Sequence, residues 1–327
     1  MRNLTLLASC LALLLLRASY GQQRLVVFGD SLSDIGNSFA LTEGLVPPGP
    51  LAPPGPFHGE YGETFDGTRA VFLGRFTDGQ NWVDYFPGIA KPFHVDISLL
   101  DFAVGGSTSG DLNVIDAALQ SFPAQIDAYK NSPGRKNADL CVIWVGANDF
   151  AAGIKPLETV TNIKGAIEQL SRAGVKSFFV VTIPDLALTP QAKAAGGATV
   201  LAATQFVITT SVLLTVELPR FAFAQQIRIN LVDINAIFVP LIYQPGRFGF
   251  TNSTNFAYEP PNGPLRVLDN PNNYVFWDGF HPTTNAHKLA AAFIFEKMFL
   301  SRQRRPAIRA REDDGWKTQT EISNVSP

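Results

Sequence analysis

Val26-Val27-Phe28-Gly29-Asp30-Ser31-Leu32-Ser33-Asp34 decides how this chain is read. An apolar run stops at a glycine, and a serine follows two residues later. The run predicts a buried strand, and Gly29 is expected to permit a sharp exit that lifts Ser31 clear of the sheet edge. In an open α/β sheet, ligands and catalytic side chains gather at the carboxyl ends of the strands. Ser31 is therefore a candidate nucleophile. The same position would equally suit a helix N-cap, where Ser and Asp are favoured.

Outward from this stretch, strand-like runs recur over 97–104, 140–145, 178–183 and 227–232, beside 25–28. Helical patterns over 157–172 and 198–223 separate the later ones, and Pro219 is expected to end or kink the second. A last helix is expected over 285–300, with Leu289, Ala292, Phe293, Phe295 and Met298 on its apolar side. Strands alternating with helices imply βαβ units and a parallel sheet.

The 327 residues, 46% hydrophobic, suffice for one large α/β domain. Residues 1–21 predict a secretory signal peptide: Arg2 is followed by an apolar run over 4–16 and by Ser19-Tyr20-Gly21, and the run is too short to span a bilayer. No later segment reads as long and apolar enough to cross a membrane. Residues 22–300 are expected to form the domain, and 301–327, charged and poor in apolar residues, a disordered tail. Without the signal the chain carries 24 basic and 28 acidic residues, which argues against nucleic acid or an anionic membrane as an obligatory partner. A monomer acting on a small molecule is expected. Cys141 would then be the lone cysteine, buried and inert within Leu140-Cys141-Val142-Ile143-Trp144-Val145. In an exported protein, Asn252-Ser253-Thr254 makes Asn252 a glycosylation acceptor.

Residues 46–57 contain Pro47-Pro48-Gly49-Pro50 and Pro53-Pro54-Gly55-Pro56 and predict a stiff extended loop. Aromatic residues follow: Phe57, Tyr61, Phe65, Phe72, Phe76, Trp82, Tyr85 and Phe86. They either plug the core under a long loop or wall a substrate cleft.

A nucleophilic serine needs a base within hydrogen-bond reach and a group to orient that base. Of the four histidines, one has a carboxylate at a telling spacing, in Trp277-Asp278-Gly279-Phe280-His281-Pro282. This turn lies just before the last helix, where Asp278 can bond one imidazole nitrogen while the other faces the serine. Ser33 stands where Gly-x-Ser-x-Gly would need its second glycine, so the α/β-hydrolase elbow is absent. Donors for a developing oxyanion are offered by two strand ends. Gly106, in Val104-Gly105-Gly106-Ser107, can expose a backbone N–H, and Asn148, in Gly146-Ala147-Asn148-Asp149, can offer its amide. Each is also an ordinary turn pair. His281 and His287 lack a His-Glu-x-x-His arrangement, so no metal is expected, and no cofactor is implied.

Together, Gly29-Asp30-Ser31-Leu32, Gly106, Gly146-Ala147-Asn148-Asp149 and Asp278-Gly279-Phe280-His281 resemble, in order, the four blocks of the SGNH hydrolases, also called GDSL esterases and lipases. The resemblance covers roughly residues 24–300. It implies a three-layer α/β/α sandwich with a flavodoxin-like parallel sheet. It also implies Ser31 as nucleophile, His281 as base and then acid, and Asp278 as orienter. The Ser31 N–H, the Gly106 N–H and the Asn148 side chain would form the oxyanion hole, and Asp30, Trp82 and Phe280 are expected to contact substrate. Residues 74–79, Gly-Arg-Phe-Thr-Asp-Gly, and Asn81-Trp82-Val83-Asp84-Tyr85 look like the secreted branch that holds plant and fungal GDSL lipases and fungal acetylesterases. The expected activity is hydrolysis of a carboxylic ester through an acyl-enzyme, falling as His281 becomes protonated. An acetylated saccharide is the first expectation for substrate. A longer-chain lipase or phospholipase activity, acyl transfer to a sugar, and a dead hydrolase fold that binds carbohydrate are the alternatives.

Overall fold

The computed structural model describes residues 20–42, 61–63, 69–71, 74–134, 136–259, 266–267 and 270–300. Most of the signal segment, the Pro-rich stretch and the tail lie outside the described residues, as do the side chains of Phe57, Tyr61, Phe65 and Phe72.

Five strands form one sheet: β1 (Tyr20–Gly29), β2 (Val95–Asp101), β3 (Leu140–Trp144), β4 (Ser177–Val181) and β5 (Arg228–Val232). All pairs are parallel, in the spatial order β2-β1-β3-β4-β5. That order is flavodoxin-like, and its switch point lies between β2 and β3 on either side of β1. The helices along the chain are α1 (Asn37–Leu41), α2 (Trp82–Ala90), α3 (Phe122–Asn131), α4 (Ala147–Ala152), α5 (Pro156–Arg172), α6 (Pro190–Ala194), α7 (Gly197–Gln225), α8 (Asn235–Tyr243) and α9 (Thr284–Phe295).

The central strands β3 and β4 and the second half of β1 are almost wholly apolar and buried because both faces of the sheet are covered there, whereas the edge strands β2 and β5 carry polar residues and are partly exposed. Leu25, Val27, Val142, Trp144, Phe179 and Val181 point to the layer holding Trp82 and Phe86 of α2 and Ile294 and Phe295 of α9. Their neighbours Val26, Phe28, Cys141, Ile143, Phe178 and Val180 point to Phe122 and Ile126 of α3, Ile163 and Ile167 of α5, and Leu214 and Leu218 of α7. The three layers of the sandwich follow from this two-residue alternation. Phe76, Trp82, Tyr85 and Phe86 are all core side chains, so the described part of the aromatic cluster plugs the core.

Several details differ from expectation. Gly29 is the last paired residue of β1, where an added Cβ would stand 2.3 Å from the carbonyl oxygen of Trp144 on β3. Glycine is needed there for close strand approach and not for a turn. α7 runs six residues past Pro219. The proline is exposed, so the carbonyl it leaves without a helical partner can be met by water. α7 is also long and apolar enough, by length and composition alone, to cross a membrane. Here it is the crossover between adjacent parallel strands β4 and β5, and its inner face packs on the sheet layer. Its outer face leaves Leu201, Ile208, Val212, Val216 and Phe223 exposed. The last helix ends at Phe295 in a wider turn over Glu296–Leu300, and Ala292 on it is exposed.

Candidate active site

Ser31 follows directly from the end of β1, in a turn closed by the Ser33 and Asp34 N–H groups donating to the Asp30 carbonyl at 3.0 and 3.1 Å. The turn is pinned from below by Asp34. Its buried carboxylate accepts from the N–H groups of Gly36, Asn37 and Ser38, from the Ser38 hydroxyl and from the Gly105 N–H. Burial raises the Asp34 carboxyl above its ordinary range, and five donors offset that cost. Asn81, the N-cap of α2, donates to the Asp34 carbonyl at 2.9 Å.

The turn before α9 delivers the histidine. Asp278 Oδ1 accepts from the Phe280 and His281 N–H groups at 2.9 and 2.7 Å, while Trp277 N–H donates to the His281 carbonyl at 2.8 Å. Residues 74–79 have a role that sequence reading did not give them. Thr77 donates to the Pro282 carbonyl at 2.8 Å, and Asp78 accepts from the Thr284 N–H at 2.7 Å. That segment therefore holds both ends of the turn into α9.

Ser31 and His281, 250 residues apart, meet at 2.9 Å between Oγ and Nε2, and His281 Nδ1 lies 2.6 Å from Asp278 Oδ2. A carboxylate can only accept, so Nδ1–H donates to Asp278, and in the neutral ring Nε2 accepts the Ser31 hydroxyl proton. All three side chains are buried, and the imidazole is flanked by Phe76 and Phe280 at centroid distances of 5.4 and 4.2 Å.

The oxyanion candidates sit on strand ends tied to β1. Gln125 of α3 bonds the Gly29 peptide at both ends, accepting from its N–H at 3.0 Å and donating to its carbonyl at 2.8 Å. It also donates to Ser107 Oγ at 3.0 Å. The Ser107 carbonyl accepts one Asn148 amide hydrogen at 2.9 Å, which orients the second donor that amide carries. Asn148 opens α4 just after Gly146, whose φ is 118°, a backbone region that favours glycine. The neighbouring Asp149 is locked by Ser109 and Thr159. Gly106 turns at φ 79°, and a Cβ there would meet Asn113 Oδ1 at 2.4 Å.

Ser31, His281, Asn148, Asp30 and Phe280 line one cavity. Gly106 is not among the lining residues, and Trp82 is removed from the substrate contacts altogether. Trp82 is fully buried, donating from its indole to Ser33 Oγ at 3.0 Å and packing on Phe86 and Trp144. As the first residue of a capped helix it faces the sheet. Asp30 Oδ1 accepts from the Leu32 N–H, whereas Oδ2 is buried without a hydrogen-bond partner, and burial pushes this carboxyl up to about 7. His287, in the first turn of α9, lines the same cavity with Nδ1 unpartnered, and burial holds it down to about 3. Gln125 was missed in the sequence because it stands in no motif; Asp34, at the end of the Ser31 stretch, and Asp149, beside Asn148, were visible but carried no assigned role, and His287 was weighed only as a metal ligand.

The family model described as GDSL-like lipase/acylhydrolase matches residues 25–294. The chain belongs to this GDSL family. Among curated relatives, this GDSL protein is 27% identical to the "Secreted effector protein SseJ" of Salmonella typhimurium over 83% of the chain. It is 28% identical to the thermolabile hemolysin of Vibrio parahaemolyticus over 84% of the chain. It spans 62% and 63% of those two proteins' lengths. It is 24% identical to the phosphatidylcholine-sterol acyltransferase of Aeromonas hydrophila, over 83% of this chain and 90% of that one. Among solved structures, the aryl esterase of M. smegmatis aligns over 85% of this chain and 99% of its own, with 14% identity and a TM-score of 0.46.

Proposed function

We propose that this GDSL protein is a serine ester hydrolase that works through an acyl-enzyme on Ser31. The observation that carries the reading is the continuous relay Asp278 Oδ2, His281 Nδ1, His281 Nε2, Ser31 Oγ at 2.6 and 2.9 Å. His281 takes the hydroxyl proton as Ser31 Oγ bonds the ester carbonyl carbon, and Asp278 stabilises the imidazolium. The oxyanion is met by the free Asn148 amide hydrogen and the Ser31 and Gly106 N–H groups, which have no acceptor among the described residues. The C–O bond to the alcohol then breaks, His281 protonates that oxygen, and water hydrolyses the acyl-enzyme by the same route.

The preferred substrate is a short-chain ester, an acetylated saccharide first, and the protein is exported with a glycan at Asn252. Support for export comes from the leader-like residues 1–21 and from a relative named as a secreted effector. Longer acyl esters are the second reading, favoured by the exposed apolar stripe on α7, which starts beside Thr199 at the mouth of the site. A relative named as an acyltransferase suggests that an alcohol can replace water as the acceptor.

The test is hydrolysis of 4-nitrophenyl esters from acetate to palmitate by the wild type and Ser31→Ala. Serine-dependent turnover of acetate and butyrate supports the short-chain reading, and a rise toward palmitate replaces it with the longer-chain one. Equal turnover by Ser31→Ala would remove the nucleophile.

A further inference from the structure

The site has two lobes that meet at Asn148, Leu186, Thr189 and Phe280. One, of about 70 Å³, is the smaller and more enclosed of the two and runs from Ser31 and His281 between α8 and α9. Its walls are Ile237, Phe238 and Leu241 of α8 and Ala286, Leu289 and Ala290 of α9. The unpartnered polar atoms of Asp30, Trp144 and His287 on its border are buried, so away from Ser31, Asn148 and His281 the face presented to a guest is mostly carbon. The other lobe, of about 220 Å³, is more open and offers Gln191 and Thr199 beside Phe150 and Ala195.

We propose that the enclosed lobe holds the acyl part of the ester and the open lobe the alcohol part, with Leu241 and Ala290 setting the acyl length. The proposal rests on the serine ester hydrolase reading. The acyl group stays bonded to Ser31 Oγ until water completes the second half of the reaction, so it can occupy the more enclosed lobe. The alcohol must leave after the first half, and water must reach the same carbonyl carbon before the Oγ–C bond breaks. That exchange needs an open side. The linings agree with this division: aliphatic carbon fits the enclosed walls, and hydroxyl and amide groups of the open lobe suit an alcohol rich in hydroxyls. A volume of about 70 Å³ accepts several water-sized groups, hence acyl chains of roughly two to six carbons.

The experiment measures kcat/KM on two ester sets, one varying the acyl chain from acetate to dodecanoate and one varying the alcohol of butyrate esters. The proteins are wild type, Ser31→Ala, Ala290→Phe, Leu241→Ala and Thr199→Phe. Each readout is a ratio between esters within one preparation, so partial misfolding cancels. Ala290→Phe should lower hexanoate relative to acetate at least tenfold, and Leu241→Ala should move the best chain length up by about two carbons. Thr199→Phe should reorder the alcohols and leave the acyl profile in place. If Ala290→Phe and Leu241→Ala reorder the alcohols instead, or leave both profiles unchanged while hydrolysis still depends on Ser31, the assignment of the lobes is overturned. Absence of Ser31-dependent hydrolysis would overturn the reading of the site itself, and the assignment with it.

Discussion

His281 and His287 lie six residues apart, each 2% exposed, yet they are held in opposite ways. The turn ahead of α9 gives His281 a carboxylate on one nitrogen and a serine on the other. The first turn of α9 gives His287 an apolar cavity wall and an unpartnered Nδ1. Burial is common to both, so burial does not make a base. What separates them is Asp278, which offers a cation somewhere to be stabilised, whereas His287 is kept neutral beside a ring that must become charged. Asp30 and Asp278 form the matching contrast among carboxylates. Asp278 accepts from three donors, while Asp30 leaves one oxygen bare and is pushed up to about 7.

The contrast breaks first at the relay. Ser31→Ala and His281→Ala should each lower kcat by about 10⁴ or more, read with 4-nitrophenyl butyrate, whereas His287→Gln should stay within a few-fold of wild type. A large loss in His287→Gln would end the distinction. Asn148→Ala should cost about 10²–10³ in kcat with little change in KM, because its amide is aimed at charge that exists only in the transition state.

Stability sharpens the comparison further. Unfolded His287 takes up a proton near 6.5 and folded His287 near 3, so its contribution is present above 6.5 and is lost as pH falls through that window. Thermal melts from pH 7 to 4 should show wild type losing on the order of a few kcal/mol that His287→Gln keeps. Asp30 runs the other way: its folded value lies above its unfolded value of 3.8. Its contribution is present below 3.8 and is lost as pH rises through about 7. Asp30→Asn should therefore hold its melting temperature better than wild type from pH 5 to 8, by a smaller margin because that range covers only part of the interval between 3.8 and about 7.

These differences mark what the sequence could disclose. Ser31, Asp278, His281 and Asn148 were legible because each stands at a strand end or turn with chemistry that a short motif carries. The parallel sheet was legible because strand-like runs alternate with helical patterns, and its flavodoxin-like order only because the four motif blocks resemble the GDSL family. Trp82 was misread because an aromatic beside a polar motif looks the same whether it faces ligand or core, and only the Asn81 cap fixes which. Gly29 was read as a turn glycine because sequence does not show the Trp144 carbonyl across the sheet. α7 continues through Pro219 because the bond it forfeits faces solvent, which periodicity alone cannot reveal. Gln125 and His287 sit in helices with no local pattern to distinguish them.

Gln125 has the widest reach of these. By gripping the Gly29 peptide at both ends and passing a bond through Ser107 to the Asn148 amide, it makes one helix the gauge block for two strand ends. The distance between Ser31 and the Asn148 amide is then an inherited dimension of the scaffold, set by α3 and not by the walls of the two lobes. A lineage could reshape both lobes to suit new esters without recalibrating the reaction centre, provided α3 stays docked.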